Sequence, residues 1–398
     1  MGGHVGRIAL AGLLALGVVG ASACGGGDKI VKKTKKKDAK TQSRTLITEA
    51  RDDAKAGETD AAEKAYREAY EANHEFDVLE EEVTFLIHAG RAGKAVDASK
   101  VYYDANLADV KGFGLYAESL IAAHRGPEAL EVADEMIKYN PNDPVGHDKR
   151  GRALILQERN DEGLEELRKA RELDPGTATY HVSLGLALDK VTKVDEAALE
   201  FRAAIKASPD DVDAHVDLGM ALREQGELDE SKKFLDRALE LDPRSGAAYF
   251  ELGRLYNAQS KQQDAEFAFS KAVQFSPNES KYWYAYGEIY RVTERYDDAI
   301  KAYKKSLELD PPYPKATSKL GMVLVVRQQW DDAEQVLIPA IRKNAKEPAN
   351  YFYLGEVYAA KKQYKRAVEN YKHYLDYAPK ADPDRARATK QIADLSHK

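Results

Sequence analysis

Apolar and small residues return at a fixed interval along most of this 398-residue chain. Gly151, Gly185, Gly219, Gly253, Gly287, Gly321 and Gly355 lie 34 residues apart, and Pro141, Pro175, Pro209, Pro243, Pro277 and Pro311 keep the same step. Leu184, Leu218, Leu252, Leu320 and Leu354 precede the glycines, and Leu154, Leu188, Leu222, Tyr256, Tyr290, Leu324 and Tyr358 follow three residues after them. This spacing sets apolar side chains one helical turn apart on one face, so each unit opens with an amphipathic helix. A second helix follows: Ala197, Ala265, Ala299, Ala333 and Ala367 recur at its start, and Phe201, Leu235, Phe269, Tyr303, Leu337 and Tyr371 one turn later. Ala170, Ala204, Ala238, Ala272 and Ala340 come next in the frame. Small residues where backbones meet and large ones between them pack as a helical hairpin. A glycine inside a helix costs about 1 kcal/mol relative to alanine, so its return at one position predicts close approach of the partner helix. The proline ends each second helix.

Counting from this frame gives eight clear units, 110–143, 144–177, 178–211, 212–245, 246–279, 280–313, 314–347 and 348–381. Two weaker ones occupy 43–109, where Ala62, Tyr66, Ala69 and Ala95 keep second-helix positions while the glycine and proline are lost. Asp382-Pro383 opens a final helix over 382–398 whose Ala386, Ala388, Ile392 and Leu395 can cover the last unit. The pattern resembles the tetratricopeptide repeat. The resemblance implies an all-α, right-handed superhelical solenoid of about ten helix-turn-helix repeats with a C-terminal capping helix, its first helices lining the concave face. One unit breaks the rules: 314–347 follows Pro311-Pro312-Tyr313-Pro314, lacks the closing proline and carries Pro339 in its second helix. A tolerated irregularity and a hinge are both open readings of it.

The N-terminus has a different character. Arg7 precedes the apolar run Ile8–Val19, and small residues follow to Cys24, which is the layout of a secretory signal over 1–24. The uncharged stretch is shorter than the ~20 residues that comfortably span a bilayer. Ala21-Ser22-Ala23-Cys24 resembles the lipobox of bacterial lipoproteins, with Ala21 where leucine is usual. The resemblance implies lipidation of Cys24 and anchoring to an envelope membrane. Several acyl chains, at ~0.8 kcal/mol per buried methylene, hold such an anchor stably. Gly25 stands where an aspartate would retain an enteric lipoprotein at the inner membrane, so the outer membrane is the expected destination. Residues 25–42 read as a flexible Gly/Lys-rich tether.

Charge and composition narrow the function. The net charge is -7, yet residues 25–45 are strongly basic, so the repeat body is more acidic than the total suggests. An acidic body argues against nucleic-acid binding. Cys24 is the only cysteine, leaving no intrachain disulfide and no thiolate cluster. His147, His181 and His215 fall one period apart in the fourth position of their units, where Tyr249, Trp283 and Tyr351 stand elsewhere. Packed helices 8–10 Å apart cannot bring them to one metal ion with ~2 Å bonds, so packing is the expected role. Asp297-Asp298, Asp331-Asp332 and Asp210-Asp211 sit at helix starts and read as caps. No nucleophile motif, phosphate loop or dinucleotide fingerprint is present. The expectation is a protein that is not an enzyme, with no cofactor, no metal and no small-molecule substrate.

In the family, positions two, five, nine and twelve of the first helix line the concave groove. Position five here reads Val182, Val216, Phe250, Tyr284, Ser318 and Phe352. Met220 and Arg254 stand at nine, and Arg223, Asn257 and Arg291 at twelve. Aromatics beside arginines suit interface hot spots. The expected groove is therefore Val216, Met220, Arg223, Phe250, Arg254, Asn257, Tyr284, Arg291 and Phe352, with packing between repeats as the competing role for the rings. The Lys/Asn clamp of chaperone-binding members is replaced by Val182, Leu186 and Asp217, so that partner is not inferred. Tyrosines crowd the last third of the chain; packing accounts for most, and the surplus suits a protein- or sugar-binding face. The reading is a lipid-anchored envelope scaffold that binds a peptide or helix of a protein partner in assembly of a pilus, secretion or outer-membrane complex. A periplasmic or surface adaptor in polysaccharide export or cell-wall synthesis is the rival.

Overall fold

The computed structural model describes residues 27–107, 109–309 and 312–397. The signal segment and Cys24 lie outside the described residues, as do the first two residues of the expected tether. No strand occurs among the described residues; they form successive antiparallel helix pairs. These are α1 (Gly27–Ala56) with α2 (Thr59–Asn73), then α3 (Phe76–His88) and α4 (Ala92–Ala105) in chain order, and α5 (Val110–Ala122) with α6 (Gly126–Tyr139). Next come α7 (Pro144–Leu156) with α8 (Asn160–Leu173), α9 (Ala178–Lys190) with α10 (Val194–Ala207), and α11 (Val212–Gln225) with α12 (Leu228–Leu241). The last are α13 (Gly246–Ala258) with α14 (Gln262–Phe275), α15 (Ser280–Val292) with α16 (Tyr296–Glu308), α17 (Lys315–Val326) with α18 (Trp330–Lys343), α19 (Pro348–Ala360) with α20 (Tyr364–Tyr377), and a lone α21 (Asp384–Leu395). The chain divides into two units, Met1–Glu82 and Val83–Lys398, with the division inside α3.

In the first unit α1 packs along α2, burying Ala50, Ala62, Ala65, Tyr66 and Ala69. Arg51 pairs with Glu81 through two hydrogen bonds of 2.6 and 2.9 Å, and the Tyr66 hydroxyl donates to the same carboxylate at 3.0 Å. The expected tether needs correction. From Gly27 onward it is helical as the first half of α1. Residues 28–56 contain neither glycine nor proline, and lysine and alanine are good helix formers. Nothing in the segment stops a helix until Gly57, whose φ of 84° ends it.

In the second unit the recurring glycines do what their position predicts. A Cβ on Gly287 would lie 2.7 Å from the Tyr303 ring, and one on Gly253 would lie 2.6 Å from the Phe269 ring. The second helix thus rests its large residue directly on the first helix's backbone, and Tyr303 and Phe269 are buried there. The turn between the two helices has a signature of its own. His124, Glu158, Thr192, Ser260, Glu294, Gln328 and Lys362 all take φ of 56–63°, and Gly226 takes the same place in its unit with φ 86°. The left-handed residue lets the next amide close the helix end, as Lys193 N–H does on the Leu188 carbonyl at 2.9 Å.

The fourth position of the units holds a second periodic device. His147, His181 and His215 direct Nε2 at the carbonyls of Pro141, Pro175 and Pro209 at 2.9, 3.2 and 2.9 Å. Trp283 Nε1 donates to Pro277 at 2.8 Å, and the Tyr351 hydroxyl donates to Ala345 at 3.1 Å. Each side chain ties its helix to the turn before it. His147 and His181 also meet Glu166 and Glu200 through Nδ1 at 2.5 and 2.7 Å, whereas His215 Nδ1 has no hydrogen-bond partner among the described residues and its ring stacks on Phe234. Among the described residues no group of three or more His, Cys, Asp and Glu side chains is placed to hold a metal ion.

The aspartate pairs divide. Asp211 caps α11 by accepting from Ala214 N–H at 3.1 Å. Asp297, Asp298, Asp331 and Asp332 lie in the first turns of α16 and α18, where their charge complements the helix dipole, but they make no cap bond, a correction to the capping half of their expected role. Guanidinium and ammonium groups compete for them: Asp298 pairs with Arg295 at 2.9 Å, Asp297 with Arg327 at 3.2 Å and Asp331 with Lys361 at 2.6 Å. The last two pairs join one repeat to the next. At the irregular repeat, α18 runs unbroken through Pro339, which is exposed; the carbonyl it deprives of a partner can take water instead.

Candidate partner-binding groove

Within the second unit each first helix from α5 to α19 touches the first helix of the next repeat, while the second helices stand outside them. First-helix side chains therefore form the inner face. The contact is weakest between α13 and α15, and there a hollow of about 360 Å³ opens. Bulk explains the gap. Phe250 on α13 stacks on Tyr282 of α15 with ring centroids 4.4 Å apart, which holds the two backbones away from each other.

Of the residues expected to bind, Phe250, Arg254, Asn257, Tyr284 and Arg291 all line this one hollow. The remainder do not join them. Val216, Phe250 and Phe352 are 6, 4 and 2% exposed, so as ring- or methyl-presenting contacts they are corrected to core residues; Phe250 reaches the hollow only as its floor. Phe352 is covered by Tyr374 at a centroid distance of 5.1 Å. Arg223 is held by Glu224 at 2.9 Å and Glu251 at 3.3 Å, and Met220 is half-buried on the neighbouring helix.

The hollow has structure that the repeat pattern alone did not announce. Lys281, at position two of α15, places its ammonium 4.7 Å from the Phe250 ring centroid and makes no ion pair among the described residues. Arg254 is bound to Glu251 at 3.0 Å and Arg291 to Glu288 by two bonds of 3.1 Å. Glu288 also accepts from the Tyr303 hydroxyl, so both its oxygens are taken. Tyr313 comes from the Pro312-Tyr313-Pro314 linker and lays its ring 4.8 Å from Tyr284. The segment that interrupts the repeat thus builds one wall of the site. Burial pushes the Tyr284 phenol up to about 12, with nearby Glu288 adding to it, so its hydroxyl keeps its proton. Lys281 was open to reading from position two; Tyr313 lies between helices, where no groove register applies.

Toward the N-terminal side the inner face turns acidic. Burial, reinforced by Asp213, Asp211, Glu251 and Asp189, pushes the Asp217 carboxyl up to about 7, and burial raises half-buried Asp189 as well. On that side the inner face also carries Leu186 of α9, exposed at 45%, and half-buried Met220 of α11. On the other side lie half-buried Met322 and Val325, with Val326 exposed. First helices on both sides of the hollow thus present apolar side chains. The crowded tyrosines of the last third are mostly spent on packing, with Tyr303, Tyr371 and Tyr374 among the most buried side chains.

A family model described as tetratricopeptide repeat matches residues 149–212, 182–233, 216–280 and 318–388, and a second of the same description matches 280–313. No curated protein matches the chain. Among solved structures, the APC/C hetero-tetramer Cut9–Hcn1 is similar at 16% identity with a TM-score of 0.57, over 80% of this chain and 55% of that one. This chain therefore spans about half the length of that relative. Yeast Tom70 is similar at 16% identity and TM-score 0.51, over 93% of this chain and 94% of that chain. At such identities the likeness is one of fold.

Proposed function

Because the chain belongs to the tetratricopeptide repeat family, we propose that it is a protein-binding scaffold anchored to a bacterial envelope membrane through lipidated Cys24. An extended peptide or a helix of a protein partner lies along its inner face. The observation that carries the reading is the set of apolar side chains that first helices present on both sides of the hollow, Leu186 and Met220 on one and Met322 and Val326 on the other. Apolar side chains flanked by charged residues are what a partner's side chains can cover. The lipobox-like Ala21-Ser22-Ala23-Cys24 and the outer-membrane expectation from Gly25 support an envelope complex as the partner's setting, in assembly of a pilus, a secretion machine or an outer-membrane complex. No helix of the described residues is long and apolar enough to cross a membrane.

Photocrosslinking in cells tests both halves. A photoreactive residue at Leu186 should yield a discrete adduct, and one at Phe267, exposed at 60% on a second helix, should not. The Leu186 adduct should vanish in a Cys24→Ala background, where intact mass should show the loss of lipid. Adducts from Phe267 alone would move the partner off the groove. A lipid-free Cys24 in the parent protein would remove the anchor.

A further inference from the structure

The donors and acceptors lining the hollow between α13 and α15 do not balance. The one carboxylate there, Glu288, is fully engaged by Arg291 and Tyr303. Lys281 carries an ammonium with three N–H groups and no ion-pair partner among the described residues. The hydroxyls of Tyr284 and Tyr313 and the exposed Asn257 amide make no protein hydrogen bond there either. Ammonium, phenol and amide N–H groups all donate, so four unengaged donors surround a floor of Phe250; the acceptors left beside them, two phenol oxygens and the Asn257 carbonyl, are neutral, and no free carboxylate among the described lining residues answers the Lys281 ammonium. The hollow is at the small end of the ~300–1,000 Å³ range of ligand pockets and suits a side chain or two rather than a cofactor.

We infer that this hollow recognises an aspartate or glutamate side chain set beside an aromatic or aliphatic residue within an extended peptide of the protein partner. The proposal rests on the groove reading above and adds the partner's chemistry to it. A carboxylate supplies the charged acceptor that the ammonium and hydroxyls lack, in charge-assisted bonds. The neighbouring apolar side chain covers Phe250 and the Tyr284–Tyr313 pair. Lys315, at position two of the next repeat, is likewise exposed and without an ion pair among the described residues and extends the positive field, against a chain whose net charge is -7. The acid belongs to a side chain rather than to a C-terminus because first helices on both sides of the hollow present apolar side chains, so the bound segment passes through. Register follows as well. Asp189, Asp213 and Asp217 repel a carboxylate placed one or two repeats upstream, so the acidic residue has one favourable seat along the groove.

The test uses the full chain and paired synthetic peptides, acetylated and amidated, each with a Glu-Phe or a Gln-Phe step in the same apolar background. Binding is followed by fluorescence anisotropy at low and high salt. The Glu-Phe peptide should bind roughly tenfold or more tightly than its Gln-Phe partner, a ratio that salt reduces. Lys281→Gln should erase that preference, and Tyr284→Phe should weaken it severalfold. Lys281 is exposed, so its variant folds, and Lys233→Gln on a second helix should change nothing. Equal binding of both peptides that is lost on Leu186→Asp would overturn the acidic-side-chain assignment while leaving the groove. Binding only by peptides with a free C-terminal carboxylate would overturn it too. Absence of binding by every peptide would overturn both it and the groove reading.

Discussion

Asp217 offers the sharpest test of the electrostatics of the inner face. It has no ion pair among the described residues, it is half-buried, and four carboxylates act on it from α9, α11, the turn before α11, and α13. Its carboxyl, ordinarily at 3.8, stands at about 7. The folded chain therefore keeps a proton that the unfolded chain releases between about pH 4 and pH 7, and stability falls as pH rises across that window. Above it the penalty is constant. Carrying a carboxyl over that range corresponds to about 4 kcal/mol; a side chain that still meets water recovers part of it, so about 2 kcal/mol is expected. Asp217→Asn keeps the shape and removes the charge. Denaturant unfolding followed by circular dichroism should show the variant more stable by about 2 kcal/mol near pH 8 and indistinguishable from the parent near pH 4. Equal stability at both pH values, or a gain confined to acid, would refute the argument that this carboxylate is held unpaired among its neighbours.

Three further outcomes follow from the repeat geometry. Gly287→Ala should cost about 2–3 kcal/mol by overpacking, because the new methyl meets a Tyr303 ring that is fully buried and held by Glu288; calorimetry reads this as a lowered Tm. Thr192→Gly should stabilise by about 1 kcal/mol, since a β-branched residue at φ 63° is strained and glycine is not, as equilibrium unfolding will register. His181→Phe should cost about 2 kcal/mol through loss of its bonds to the Pro175 carbonyl and Glu200. His215→Phe should cost visibly less, because only one of the His215 ring nitrogens is bonded; a reversed order in the unfolding series would count against the tie.

The sequence made the periodic part of this protein legible because each repeat position carries one dominant steric demand. Gly287 had to be small if Tyr303 was to lie on it, and both letters could be read. The left-handed turn residue was invisible for the opposite reason: only Gly226 marks it, and Glu158 or Thr192 occupy the same backbone state at a cost that sequence does not display. The groove was half legible. Tyr284 and Arg291 reach the hollow from the expected positions, but Val216 and Phe352 point the same way and are covered by neighbouring side chains. Whether a position-five residue is floor or core depends on the size of its neighbours, as Phe250 against Tyr282 shows. The basic segment after Gly27 misled because charge and helix propensity favour different states, and lysine contributes to both.

The ties at position four bear on how long such an array can become. Their acceptor is a main-chain carbonyl, which every residue possesses, and their donor is histidine, tryptophan or tyrosine. A splice that adds or removes one whole period therefore recreates the bond at its junction wherever the incoming unit carries such a donor, as those of His147, His181, His215, Trp283 and Tyr351 do. Ion pairs such as Asp297 with Arg327 carry no such guarantee, because both partners must be inherited together. Length can thus drift by whole repeats while the turns of such units stay fastened, and the groove can be lengthened to suit a longer partner before any of its contacts has been selected.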